Sequence, residues 1–165
     1  MLVTSAEANK ILKFTQNEIA RLKNQHRTSY QFTAAVSEDI EYARPDYDYT
    51  QVRDEIGRLE EKVRKIKHAL NIFNSTTKLP AGLTIDEALI LLPQLTDKKD
   101  LLSNMRRCKD KERLSVYGSK DIEYRYINFI PSEVEQDYIT VCEAISNLQR
   151  ELDITNNTIE FEVEE

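Results

Sequence analysis

The chain has three glycines, four prolines, two cysteines and no tryptophan. So few glycines cannot readily build a phosphate-cradling loop, and the HExxH, CxxC and nucleophile-elbow patterns are also missing. Cys108 and Cys142 lack the spacing of a zinc site or a disulfide framework and read as reduced thiols. No apolar run approaches the ~20 residues of a membrane span. Met1 to Glu7 shows no basic region followed by an apolar stretch, so no secretory signal is expected. The sequons at Asn74 and Asn156 then carry no meaning, and a cytoplasmic location is expected. Positive charge is in short supply too: 23 Lys and Arg against 29 Asp and Glu give a net charge of −6. That balance disfavours nucleic acid and anionic membranes as partners, because both attract clustered cations. The local exception, Arg106 to Arg113, reads most simply as the basic last turn of a helix, with phosphate contact as the alternative.

What is present is charge and helical spacing. Charged residues make up 32% of the chain and apolar residues 40%. At 165 residues a single domain, 1–165, buries roughly 70% of its unfolded surface without metal or disulfide. Four long helices are expected, over about 5–29, 50–73, 85–107 and 132–155. Thr4 to Glu7 and Thr84 to Glu87 form capping boxes, and Pro131 with Glu133 and Glu135 opens the last helix. Val52, Ile56, Leu59, Val63, Ile66, Leu70 and Phe73 keep a four-three spacing between charged flanks. Val134, Tyr138, Val141, Ile145, Leu148, Leu152 and Thr155 do the same. Such narrow seams are a coiled-coil signature and need a partner helix. Ala8, Ile11, Thr15, Ile19, Leu22 and His26 make a looser seam, where His26 is expected to be hydrogen-bonded and partly buried. Ala88 to Leu92 is apolar all round and needs cover on more than one side. Pro93 should kink the helix unless the helix ends there. The fold class expected is mainly α: an antiparallel four-helix bundle or paired helical hairpins, with a small β element at one end.

Two long connections, 30–49 and 108–131, separate these helices. Tyr30 to Val36 and Ile122 to Ile130 read as short strands, and the tail 157–165 as an edge strand or disorder. Seven of the eight tyrosines fall in the connections: Tyr30, Tyr42, Tyr47, Tyr49, Tyr117, Tyr124 and Tyr126. In up-down-up-down order both connections lie at one end, giving a tyrosine-rich head suited to self-association or partner capture. The plainer reading pairs the two strands into a sheet that the tyrosines cover. At the central junction, Asn71, Asn74, Ser75, Thr76, Thr77 and Thr84 could serve an anion at a helix N-terminus, or simply cap the two helix ends, which is favoured. Asp54, Glu55, Glu60 and Glu61 suggest an acidic metal face, but they alternate with Lys62, Arg64 and Lys65 as a solvated flank does.

Asn71-Ile-Phe-Asn74-Ser-Thr, Leu83-Thr84-Ile-Asp-Glu87-Ala-Leu89, Ser119-Lys-Asp-Ile122-Glu-Tyr124 and Glu151-Leu152-Asp153-Ile-Thr-Asn156 follow in an order that resembles a family of small, uncharacterised bacterial helical proteins labelled septicolysin-like. The match covers roughly the C-terminal half. It departs at Leu91-Leu92-Pro93, where the family helix runs through with charged residues. The resemblance implies a helical fold and self-assembly and supplies no catalytic residues. Pore formation is unsupported, since there is no long apolar hairpin. The expected function is a non-enzymatic, self-associating structural or interaction module without cofactor or metal, its partner a second copy or another protein. A small helical enzyme or ligand-binding bundle and a holdase-like chaperone are the alternatives.

Overall fold

A computed structural model describes residues 1–114 and 122–164. The chain is mainly helical, with two small antiparallel strand pairs among the described residues. In order, the elements are β1 (Leu2–Thr4), α1 (Ser5–Ser29), α2 (Ile40–Ala43), α3 (Tyr49–Thr76), α4 (Ile85–Arg106), β2 (Lys111–Leu114), β3 (Glu123–Tyr126), α5 (Pro131–Thr158) and β4 (Glu160–Glu162). They fall into two compact units, Met1–Thr77 with Thr155–Glu165, and Lys78–Ile154.

In the first unit α1 and α3 lie antiparallel along the expected seams. Early α1 meets late α3, with Ala8 against Ile66 and Leu70. Late α1 meets early α3, with Leu22 against Val52 and Leu59. The alternating threes and fours put one stripe per helix in the contact, and the charged flanks stay in water. Thr15, buried in this seam, turns its hydroxyl to the Ile11 carbonyl at 2.8 Å, so no polar atom is left orphaned there. Both capping boxes form. Glu7 N–H donates to Thr4 Oγ1 at 3.2 Å while Thr4 N–H donates to Glu7 Oε2 at 2.9 Å.

β1 pairs antiparallel with β4, Val3 opposite Phe161. Met1 and Val163 exchange both backbone hydrogen bonds, at 2.7 and 2.8 Å. The tail is therefore an edge strand. Its Phe161 ring stacks on Phe73 with centroids 4.6 Å apart, and Val163 is buried beside Val3, Ala8 and Ile66.

In the second unit α4 and α5 run antiparallel around Leu102, Val134 and Val141, with Leu95, Met105, Phe129, Tyr138 and Ile145 packed on them. Arg106 clamps Glu135 through two bonds, at 2.5 and 3.0 Å, and lies over the Tyr138 ring at 4.0 Å. The turn into α4 has Pro80 at its second position and Gly82 at its fourth, with Gly82 N–H donating to Leu79 O. Gly82 takes φ +90°, a conformation open to glycine at little cost.

Several expectations change. Tyr30 to Val36 forms no strand, and α2 is the one regular element in that connection. The strand that pairs with Glu123–Tyr126 is Lys111–Leu114, in register Lys111 to Tyr126 and Arg113 to Tyr124. The basic segment is thus only partly a helix end: α4 stops at Arg106, Arg107 is its C-cap, and Lys111 to Arg113 lie in β2. β1 was not foreseen. Pro93 neither ends nor splits α4, which is helical from Ile85 to Arg106. The run at Ala88 to Leu92 is covered on one side: Ile85 and Ala88 are buried, Leu91 and Leu92 half-buried, Leu89 and Ile90 exposed.

Candidate functional site

The feature richest in chemistry lies where α1 ends and α3 begins. His26, at the last turn of α1, sits with three tyrosine rings around it: Tyr30 at 5.6 Å, Tyr47 at 5.8 Å and Tyr49 at 6.1 Å between centroids. Local sequence sets this up. The α1 seam delivers His26 to the face toward α3, and Tyr30 follows one turn later as the C-cap, its N–H donating to His26 O. Asp48 caps α3 by accepting from Gln51 N–H at 3.0 Å, which fixes Tyr47 just before the helix and Tyr49 as its first residue.

His26 Nδ1 and Tyr47 Oη are hydrogen-bonded at 2.5 Å. Tyr47 is half-buried and packs on Leu22, Val52 and Leu59. Desolvation raises the pKa of its phenol, and the neighbouring Tyr49 and Asp48 add to the shift, so it stays protonated well above neutrality. Tyr30 and Tyr49 face outward, each 55% exposed. The Arg53 guanidinium lies 5.6 Å from the Tyr49 ring centroid, a cation–π distance. A surface groove of about 400 Å³ runs beside them, lined by His26, Tyr49, Val52, Arg53, Ile56, Gly57 and Glu60.

The other described tyrosines each lie within their own unit. Tyr42 stands alone and fully solvated on α2. Tyr124 and Tyr126 lie on one face of β3 in the second unit, rings 6.3 Å apart, with Lys111 Nζ 4.2 Å from the first and 5.5 Å from the second. Tyr117 lies outside the described residues. The strand pairing that would have made the tyrosines a cover does not occur, because Tyr30 to Val36 is not a strand.

The junction residues are used locally. Ser75 and Thr76 both donate to Ile72 O, at 3.1 and 2.7 Å. Thr84 accepts from Glu87 N–H, and its own N–H and hydroxyl donate to Glu87 Oε2 at 2.8 and 3.0 Å. A carboxylate already occupies this helix N-terminus, with Asp86 beside it, and repels a second anion. Asn71 is exposed and Asn74 half-buried. The acidic residues of α3 are likewise matched to cations: Asp54 to Arg53, Glu55 to Arg58, Glu60 to Lys23 and Glu61 to Lys65. Among the described residues no group of three or more His, Cys, Asp or Glu is placed to hold a metal ion, and no helix is long and apolar enough to cross a membrane.

The seam position of His26 is legible in the sequence, but its phenol partner Tyr47, 21 residues away, is not. The α1 stripe and the Asp48 cap together hold the signal: both put their neighbours at the same end of the hairpin.

No protein-family model matches the chain, and no curated protein matches it. Among solved structures it is similar to a functionally unknown conserved protein from Corynebacterium diphtheriae, with a TM-score of 0.61 and 16% identity, over 98% of this chain and 100% of the other. At that identity the likeness speaks to the fold alone.

Proposed function

We infer that this protein is a self-associating interaction module, and that the aromatic end of the α1–α3 hairpin is its contact surface. The observation that carries this reading is the exposed Tyr30, Tyr49 and Arg53 set around the His26–Tyr47 pair. Tyrosine and arginine are enriched in interface cores, and tyrosine brings contact area at little entropic cost. A patch holding both π faces and a guanidinium is self-complementary, as a two-fold contact requires. Lys23 and Glu60 pair with each other at 2.7 Å beside it, so these two charges do not repel an identical copy. Exposed Leu89, Ile90 and Leu101 on α4 add a second apolar surface. The resemblance to the septicolysin-like family, which implies self-assembly, agrees with this reading.

Light scattering behind a sizing column, from 1 to 100 µM protein, tests it. Mass rising with concentration toward a whole-number multiple is expected. A monomer mass throughout that range removes the proposal.

A further inference from the structure

We propose that the outer edge of β4 takes up an extended segment of a partner protein, in which basic and apolar residues alternate, as a third strand of the β1–β4 pair. Met1 and Val163 exchange both backbone hydrogen bonds. Pairs alternate along an antiparallel ladder, so Val3 and Phe161 are also a bonded pair, whereas Leu2 with Glu162 and Thr4 with Glu160 are not. The N–H and C=O groups of Glu160 and Glu162 therefore point away from β1. The same phase holds on the far side of the ladder, where Thr4 N–H leaves β1 for Glu7 at 2.9 Å.

That edge borders a groove of about 430 Å³ against α3, with Lys65, His68, Ile72 and Thr76 on one side and Glu160 and Glu162 on the other. The α3 positions recur at threes and fours and make one continuous stripe, and Ile72 is 50% exposed. Four extended residues span roughly 13 Å, enough to bond both outward-facing positions of β4. Alternate side chains of an added strand would then reach two different surroundings. One set joins Phe161 on the α3 side, where Ile72, between His68 and Thr76, is the exposed apolar residue and favours an apolar side chain. The other stands beside the row Glu160, Glu162 and Glu164, which selects Lys or Arg. A second copy of β4 fits worse, because self-pairing sets glutamate beside glutamate, the usual defence of an exposed edge. Tyr49 and Thr76 are the first and last residues of α3, so the two surfaces stand roughly 40 Å apart and act independently.

The probe is a fluorescein-labelled six-residue peptide of alternating lysine and valine, added to the full chain. Saturable binding is expected, with at least tenfold slower hydrogen exchange at the Glu160 and Glu162 amides. Methylating alternate peptide nitrogens should weaken binding at least tenfold. The exposed-site variant Glu160→Lys/Glu162→Lys, shown by circular dichroism to melt as wild type does, should prefer the glutamate–valine peptide. Three results would overturn the proposal: no binding at millimolar peptide, binding indifferent to backbone methylation, or protection at Glu160 and Glu162 that rises with protein concentration alone and so marks a second copy.

Discussion

Tyr47 and Tyr49 stand two positions apart and do different work. Tyr47 is packed among Leu22, Val52 and Leu59 with its hydroxyl on His26, whereas the Tyr49 ring meets solvent and Arg53. Tyr47→Ser should lower the thermal midpoint by several degrees, a shift of the order that losing ~1–2 kcal/mol produces in a chain of this size. Tyr49→Ser should leave the midpoint within about 2 °C, as surface changes do. Scanning calorimetry separates the two. The sequence could not, since both lie in one polar, tyrosine-rich stretch. The capping boxes were fully legible, because their chemistry is complete within four residues. The Glu7 and Glu87 carboxyls are held below their ordinary pKa, first by the N–H and then by the hydroxyl of Thr4 and Thr84 respectively. The folded state therefore keeps these groups ionised to lower pH than the unfolded chain does. Their contribution is complete above the ordinary glutamate value of about 4.3 and fades as pH falls through the lower folded value. Glu87→Gln, which keeps the capping geometry but cannot titrate, should flatten the acid limb of stability measured in urea between pH 3 and 5. Thr84→Ala should cost about 1 kcal/mol at pH 7.

Among the elements, the long helices were legible and the short strands only in part. β3 lies within the stretch Ile122 to Ile130 read as a strand and β4 within the tail read as an edge strand or disorder, whereas β1, β2 and the short α2 were not legible. α1, α3 and α5 carry periodic stripes over many turns, and their bounds follow the spacing closely. β1 offers three residues, too few for a period, and Thr4 could be read only as a cap. β2 reads Lys-Glu-Arg-Leu, which looks like a solvated helix end; pairing with β3 makes it a strand, since strand preference depends on the neighbour across the ladder. Tyr30 to Val36 had the better composition and no such neighbour. The closure by β4 predicts that Phe161→Ala, which removes the stack on Phe73, costs about 2–4 kcal/mol in chemical denaturation. In α4, Pro93 is exposed, lacks an N–H and sits eight residues inside the helix. Pro93→Ala should raise stability by about 1–3 kcal/mol, read the same way.

At the scale of the molecule, a seam tells which face of a helix is covered and not by what. The four-three spacing of α3 was plain, yet nothing in it named α1 as the partner, nor showed that α4 and α5 would pack around Leu102, Val134 and Val141. Two compact units follow from contacts between residues far apart in sequence, such as Val3 beside Val163, which local patterns do not carry. The aromatic end of the first unit has the same origin: His26 is legible as a seam residue, and the antiparallel hairpin brings Tyr30, Tyr47 and Tyr49 around it. Association through that end is read out by sedimentation equilibrium on wild type beside Tyr30→Ser/Tyr49→Ser. A wild-type dimer is expected, with a dissociation constant that rises at least tenfold in the variant while the melting temperature holds within about 2 °C. Equal dissociation constants for the two proteins would contradict it.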